Sequence, residues 1–278
     1  MSAPYTPFMD PRTARPPGVG PLDRAAWLCV DDDFAAQMAE RDALFEAPDD
    51  DVACALPEGE APTAELLALL LDWTARDGRW RREGGAVIRP DSVAVPLDAS
   101  PLTVIGRLMQ EDALLLIPGE PEYLLVAGTL CFPQRWALSE KLGRPLTDVH
   151  RPVPGYPETL AARINRMFAA LRVEAPLMRI NWLVHPTDTL RIVQREAQKG
   201  PPPDPGRGWH LRTERQCLLR LPQTRAVVFT IKTTVTHVDR LSAEHRAGLR
   251  DALAGWGPGE IAHRGGVPIW RAALDALA

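Results

Sequence analysis

The chain has 278 residues, a formal net charge of −4 and a hydrophobic content of 45%. This length is enough for one large domain or two small ones with a well-buried core, and the acidic balance disfavours nucleic acid as a partner. No apolar run approaches the roughly 18 residues of a membrane span, and the first thirty residues lack the apolar centre of a secretory signal, so we expect a cytoplasmic protein with no membrane contact.

The N-terminal part of the chain combines acidic runs with a helix. The aspartates at 31–33 and 49–51 are typical of solvated loops or helix starts. The first predicted helix covers about 62–76, because its leucines recur at helical spacing and Gly78 stops it.

Short strands and helices alternate through the middle of the chain. In order, the pattern predicts strands at 87–88 and 93–95, a helix over 102–109, a hairpin of 114–117 with 123–126, a helix over 134–142 and another from Pro157 onward. The hairpin has the clearest signal, because the sequence PGEPE between its two apolar runs favours a turn.

Three long strand-like runs dominate the C-terminal half. They cover 178–184, 211–221 and 226–235, with a Pro- and Gly-rich loop at 199–208 and helices at 242–254 and 267–277. Helices interleave with hairpins without a regular βα alternation, which favours an α+β fold with an antiparallel sheet. We therefore predict a Pro-rich extension over residues 1–21 and a single domain over residues 22–278.

The familiar sequence signatures of metal and nucleophile sites are missing. The four cysteines form no CxxC pair, which argues against structural zinc, a cysteine-held iron–sulfur cluster and covalently attached haem. There is no GxSxG, HExxH or Walker A pattern, and the six histidines lack the spacing of a metal pair. Any haem would therefore be held non-covalently.

The most informative stretch is CFPQRWALSEKLGRPLTDVHRPVPGY, residues 131–156. Pro152 and Pro154 fix φ on the C-terminal side of His150, and Gly155 permits a turn. A stiff backbone suits a histidine that is a single axial metal or haem ligand, because its ring must be positioned without other protein ligands. An ordinary Pro-rich connection with a surface histidine is an equal alternative.

The run over 211–221 carries polar side chains that alternate with apolar ones. Arg215 interrupts the apolar face, and a buried guanidinium needs a carboxylate or a similar anion, such as a haem propionate. The opposite face is polar and is expected to meet water. Its side chains belong to His210, Arg212, Glu214 and Gln216.

The string FPQRWALSEKLGRPLTDVHRPVPGY closely resembles the pattern of the haem-dependent oxidative N-demethylase family. Three further stretches fit that pattern in the right order: VIGRLMQEDALLLI upstream, and RINWLV and LRTERQCLLRLPQTRAVVFTIKT downstream. Together they cover roughly residues 86–240, more than half of the chain. The segment HPTDTLRIVQREAQKGPPPDPGRGW departs from the pattern and does not align residue by residue.

The resemblance implies a PAS-like fold, an antiparallel sheet flanked by helices, that binds haem b without a covalent link. It implies the oxidative removal of a methyl group from a small secondary amine, as in the haem subunit of dimethylamine monooxygenase, with O₂ as oxidant and formaldehyde as product. Electrons would come from NADPH through a separate reductase subunit that carries FMN and a 2Fe–2S cluster. This chain would then be the haem-bearing subunit alone.

The resemblance also implies which residues hold the haem. The expected axial ligand of the iron is His150, with His185 and His210 as alternatives. Three arginines inside the matched stretches suit the propionates, because a guanidinium binds a carboxylate through two hydrogen bonds. They are Arg135, Arg179 and Arg215.

A secondary amine arrives mainly as an ammonium ion, so its pocket needs a carboxylate and aromatic faces. Glu214 is the expected carboxylate, and it would assist deprotonation of the amine before oxidation. A purely structural pairing of Glu214 with a neighbouring arginine is an equal alternative. Tyr156 and Trp182 are expected as walls or donors, although the strand face of Trp182 is also typical of a core.

Two other functions fit the same residues. The chain is alternatively a PAS-like haem sensor or carrier without enzymatic activity, or a haem-free interaction protein in which the motifs persist only as structure. A sensor is usually joined to an output domain, and no second domain is apparent in the sequence. The demethylase therefore remains the leading hypothesis.

Overall fold

An antiparallel sheet of seven strands is the centre of the fold in the computed structural model, which describes residues 5–13, 18–47, 51–151, 155–156, 160–197 and 208–278. The strands in chain order are β1 (Gly20–Pro21), β2 (Ala53–Ala55), β3 (Arg81–Glu83), β4 (Ala86–Ile88), β5 (Ala94–Pro96), β6 (Asp112–Ile117), β7 (Leu124–Thr129), β8 (Leu177–His185), β9 (His210–Arg220) and β10 (Val227–His237). The large sheet has the order β1-β8-β9-β10-β6-β7-β2, and β3, β4 and β5 form a small second sheet.

Two of the described helices begin at a serine cap, and another ends at a glycine. The helices are α1 (Phe34–Glu46), α2 (Glu60–Asp77), α3 (Pro101–Leu108), α4 (Leu146–Val149), α5 (Ala162–Ala170), α6 (Ala243–Ala254), α7 (Pro258–His263) and α8 (Gly266–Ala276). Ser100 and Ser242 cap α3 and α6, because each side chain accepts a hydrogen bond from the backbone N–H three residues later. α2 ends at Gly78, whose φ of 80° favours glycine. In the part of the chain that is described, no helix is long and apolar enough to cross a membrane.

β9 and β10 lie in the middle of the large sheet, and both of its faces are covered there. The helix face packs against α1, α2 and α3 through a core cluster that includes Leu66 and Cys217. The loop face packs against residues 131–171 through a second cluster that includes Leu146 and Leu218. Cys217 and Leu218 are neighbours in β9 and point to opposite faces, as strand alternation requires.

The predicted α+β fold with an antiparallel sheet is confirmed. The hairpin is present as β6 and β7, the three long runs as β8, β9 and β10, and the first two helices as α2 and α3. The C-terminal helices are α6 and α8, with the unpredicted α7 between them. The start of a helix at Pro157 and the loop at 199–208, except Gly208, lie outside the described residues.

The helix predicted over 134–142 is wrong. The Arg135 N–H donates to the Ile192 carbonyl at 2.7 Å, and the Ile192 N–H donates to the Pro133 carbonyl at 3.0 Å. Arg135 also has a φ of 61°, which a right-handed helix does not contain. A long-range pairing that local spacing does not reveal therefore replaces the helix with turns.

Asp31 and Asp51 are less exposed than the sequence predicts, whereas Asp32 and Asp33 are exposed as predicted. Asp31 pairs with the buried Lys232 of β10 at 2.5 Å. Asp51 is buried and accepts hydrogen bonds from Ser139 and Arg195. The helix α1, which follows the first run, was not predicted, because its buried face includes a glutamine and an arginine and gives no clear apolar stripe.

The prediction that the polar face of β9 meets water is also wrong. All 11 residues of β9 are buried. β9 has β8 and β10 as neighbours and is covered on both faces, so its alternation separates two interior environments rather than core from solvent.

Candidate functional site

A column of polar side chains runs along the loop face of β8 and β9. The register places Arg179 opposite Gln216 and Asn181 opposite Glu214, and Arg212 follows on the same face of β9. Residues directly opposite each other on antiparallel strands project from the same face, so these groups are lateral neighbours. Two short stretches of sequence thus build one continuous polar surface beneath the 131–171 segment.

Glu214 lies in the middle of this column and is held by three donors. Its Oε1 accepts a hydrogen bond from Arg212 Nε at 3.2 Å. Its Oε2 accepts from Gln216 Nε2 at 3.1 Å and from Asn181 Nδ2 at 3.2 Å. The pairing with an arginine that the sequence left open is therefore present. An ionised carboxylate has about four acceptor positions, so it can still receive one more donor.

Arg179 is a cation of the loop face without an ion partner among the described residues. Its Nε is buried and makes no hydrogen bond there. Burial lowers the pKa of Arg179, and the Glu214 carboxylate opposes this effect. A buried guanidinium with an unused donor favours an anionic ligand.

His150 directly follows α4, and its ring has a defined tautomer. Nδ1 lies 2.9 Å from the Leu146 carbonyl oxygen. A carbonyl only accepts, so Nδ1 carries the proton and Nε2 keeps its lone pair. Burial lowers the pKa of His150, and the nearby positive charge of Arg179 lowers it further. The ring is therefore neutral at pH 7, the form in which imidazole ligates a metal.

Tyr156 stacks on His150 and contributes a buried phenol. The two ring centroids are 4.3 Å apart and the planes differ by 8°. The hydroxyl is buried and has no hydrogen-bond partner in the described part of the chain. Burial raises the pKa of Tyr156 to about 12. At neutral pH this phenol is consequently an unused hydrogen-bond donor.

Arg135 and the alternative histidines lie at the other end of the loop face. His185, His210 and His237 are opposite one another across β8, β9 and β10 and form the histidine row. His185 lies six residues along β8 from Arg179, a separation of roughly 20 Å. Burial, with added effect from the charges of Arg212 and Arg135, lowers the pKa of His185 to about 4.

Trp182 and Arg215 lie on the helix face, away from His150 and Glu214. Trp182 packs against Trp256, with ring centroids 5.7 Å apart. The Arg215 guanidinium donates to the carbonyl of Trp27 at 2.9 Å. The structure thus brings His150, Tyr156, Arg179 and Glu214 to one face and places Arg135, Trp182 and Arg215 elsewhere.

Three residues that position the carboxylate were not predicted as part of the site. Arg212 and Gln216 were expected to meet water, and Asn181 was given no role. The sequence does contain a signal for these residues, because polar and apolar side chains alternate in both of the strand-like runs 178–184 and 211–221. Only the pairing of β8 with β9 shows that the two polar faces coincide.

The described residues fit a non-covalently held haem. A neutral histidine with a free Nε2 suits an axial ligand, and the unused donor of Arg179 suits a propionate. No group of three or more histidine, cysteine or acidic side chains within the described ranges could hold a metal ion. The fold and this face define an α+β protein with a candidate single-histidine haem site.

A family model supplies the closer identification. The model described as haem-dependent oxidative N-demethylase, alpha subunit-like, matches residues 18–274. The chain belongs to this family, which confirms the resemblance found in the sequence motifs.

Proposed function

We propose that this chain is the haem-binding subunit of an oxidative N-demethylase that acts on a small secondary amine of the dimethylamine type. The observation that carries the proposal is the His150 ring, whose Nδ1–H is committed to the Leu146 carbonyl. That commitment leaves Nε2 as the ligand atom of a neutral imidazole. Membership of the family supports haem as the group that this nitrogen binds.

Haem b would be held by His150 at the iron and by Arg179 at a propionate. Bound haem supplies the activation of O₂ needed to oxidise an N-methyl group. Apolar contacts with the ring would come from side chains of the loop-face cluster, among them Val149, Ile164 and Leu177. Arg135 would not contact the haem, because it donates to Gln194 at the far end of the face, and the helix-face residues Arg215 and Trp182 would not contact it either.

The amine would be received by Glu214 and Tyr156. An ammonium ion needs an acceptor, and the carboxylate of Glu214 has capacity beyond its three donors. Transfer of the ammonium proton to Glu214 leaves the amine with a free lone pair. Arg212, Asn181 and Gln216 hold the carboxylate in place, and the unused Tyr156 hydroxyl would donate a hydrogen bond to the substrate from beside His150.

Electrons would be delivered by a separate subunit. Removal of one methyl group from dimethylamine consumes one O₂, two electrons and two protons, and releases methylamine, formaldehyde and water. The proposed source is NADPH, through a reductase with FMN and a 2Fe–2S cluster. The family description refers to an alpha subunit, which supports a multi-component system.

Replacement of His150 tests the axial ligand. We expect haem-reconstituted His150→Gly to lose the Soret spectrum of the wild type and to regain it when imidazole is added. His210→Phe removes a buried histidine at the other end of the same face and should leave the spectrum unchanged. Wild-type ligation in His150→Gly would refute the assignment. A wild-type chain with no Soret band after reconstitution would refute haem binding altogether.

Replacement of Glu214 tests the amine site. Glu214→Gln keeps the size of the side chain but removes the base, so formaldehyde release should fall by about 10²–10⁴-fold while the Soret band stays unchanged. Glu260 is partly exposed and also pairs with an arginine, so Glu260→Gln provides a matched control. Unchanged turnover in Glu214→Gln would exclude the role. If the wild type with a competent reductase releases no formaldehyde from any small N-methyl amine, the result would favour a haem sensor over a demethylase.

A further inference from the structure

A cavity lies on the helix face of the large sheet. It is on the side of β9 and β10 opposite to His150. It has a volume of about 380 Å³ and is open to solvent on one side. Its floor consists of side chains from the two central strands, and its roof is the segment 25–31 together with Tyr5. The groups of the proposed haem and amine site do not line it.

Arg215 supplies the charge at the floor of this cavity. The residue is only 5% exposed, and it forms no ion pair within the described part of the chain. Its guanidinium donates instead to the carbonyls of Ala26 and Trp27, which hold it in position without neutralising it. Glu111 is the nearby buried acid, and burial raises the pKa of its carboxyl, which favours the uncharged form. The positive charge of Arg215 thus lacks a counterion in contact with it.

The other cations of the cavity already have carboxylate partners. Lys232 pairs with Asp31 at 2.5 Å, and Arg79 pairs with Asp77 at 2.5 Å. With these pairs neutral, the described residues of the lining carry one remaining charge, the positive charge of Arg215. A ligand with one negative charge would balance it.

The hydroxyls on the floor favour an acceptor group. Thr234 Oγ1 receives a hydrogen bond from Lys232 Nζ at 3.0 Å, so its own proton is available to the cavity. Thr236 lines the cavity two residues further along β10, on the same face. The roof is apolar by contrast, since Ala25, Leu28 and Val30 line it.

We propose that this cavity binds a small organic monoanion, a carboxylate with a short apolar chain. The carboxylate pairs with Arg215 and accepts hydrogen bonds from Thr234 and Thr236, while the chain lies against the apolar roof. The site is independent of the haem and of the amine, because it opens on the opposite face of the sheet.

The test uses 4,4,4-trifluorobutyrate and ¹⁹F NMR on the full chain. We expect saturable line broadening with a dissociation constant of about 1 mM or below. Arg215→Gln should weaken binding by about tenfold or more, since it removes the charged donor. The exposed Arg76→Gln serves as the matched control and should bind the probe as the wild type does. His150→Gly should also bind it normally, because that residue belongs to the other face.

A second variant keeps the test decisive if Arg215→Gln does not fold. Thr234→Val with Thr236→Val removes both hydroxyls at nearly constant volume, and binding should weaken by roughly three- to tenfold. No broadening at about 20 mM probe would overturn the proposal. So would unchanged binding in a folded Arg215→Gln protein, or displacement of the probe by 4,4,4-trifluorobutylamine or inorganic phosphate at lower concentration than by butyrate.

Discussion

His150 and the histidine row lie at opposite ends of the loop face, and the surroundings of their rings differ. At His150 the Leu146 carbonyl fixes the proton on Nδ1. In the row, the Nδ1 of His210 is buried without a hydrogen-bond partner among the described residues. Its ring contacts His237 edge-on, with centroids 4.8 Å apart. Burial and a backbone partner are therefore common to both ends, because His185 bonds to the backbone of Thr187, His210 to that of Gly208, and His237 Nδ1 accepts from the Asp239 N–H.

The difference concerns what each end of the face could still bind. A ligand histidine must be neutral, and its ring must be oriented by an acceptor on the other nitrogen. His150 meets both conditions before any ligand arrives. In the row, His210 and His237 contact each other edge-on, and the arginines that act on His185, Arg135 and Arg212, already donate to acceptors. The unused donor of Arg179 therefore distinguishes the His150 end of the face.

The largest expected effect concerns Arg212, which lies between the two ends. Its guanidinium binds Glu214, the Leu190 carbonyl at 2.9 Å and the Phe132 carbonyl at 2.7 Å, and it is 1% exposed. Arg212→Met leaves a buried carboxylate short of its charge partner, so the free energy of unfolding should fall by about 3–5 kcal/mol in urea titrations. The exposed Arg172→Met is the control. A loss below about 1 kcal/mol would mean that the ion pair and hydrogen bonds of Arg212 contribute little to the stability of this face.

The next effect is the response of the histidine row to acid. The pKa of His185 is about 4 in the folded chain, against an ordinary value of 6.5. Between these values the unfolded chain binds a proton that the folded chain does not, so stability is lost as the pH falls from 6.5 to 4 and is unaffected above 6.5. Over this pH range the free energy of unfolding of His185→Phe should fall by roughly 1–3 kcal/mol less than that of the wild type. Urea titrations at pH 7, 6, 5 and 4.5 measure this difference.

The partly exposed His245 on α6 allows a matched comparison. His245→Phe should keep the acid dependence of the wild type. A His185→Phe chain that loses stability between pH 6.5 and 4 as steeply as the wild type would show that other groups dominate the acid response.

The smallest expected effect is at Tyr156, beside His150. Tyr156→Phe keeps the stacked ring and removes a hydroxyl without a partner among the described residues, so the free energy of unfolding should change by less than about 1 kcal/mol. Formaldehyde release should fall while the Soret band stays in place, because the hydroxyl is proposed to serve the substrate. A large loss of stability would instead show that the hydroxyl has a structural partner.

The strands were predictable because their apolar residues alternate over long runs, and the hairpin because a turn sequence separates two apolar segments. The helix predicted over 134–142 failed for a reason that no local pattern contains: Ile192, more than fifty residues away in sequence, takes its backbone hydrogen bonds. The alternation in β9 correctly separated Glu214 from Arg215. The alternation could not show that both faces of β9 are buried. Their burial depends on the central position of β9 in the sheet and on the segments that pack against each face.

The candidate site was partly predictable for the same reason. The prolines after His150 indicate a stiff segment, but the carbonyl that fixes the tautomer becomes visible only once α4 is formed. Arg179 and Glu214 could each be chosen as charged residues in strand-like runs. That they lie near each other depends on the register of β8 against β9, which single-sequence patterns do not specify.

Glu214 and Arg215 are consecutive residues of β9 that face opposite sides of the sheet. Insertion or deletion of one residue within β9 ahead of them would exchange their faces, placing a guanidinium among the donors that hold the carboxylate and a carboxylate against two carbonyls. Selection on either face therefore constrains the other, and descendants of this chain can change length in the surrounding loops but not within this strand.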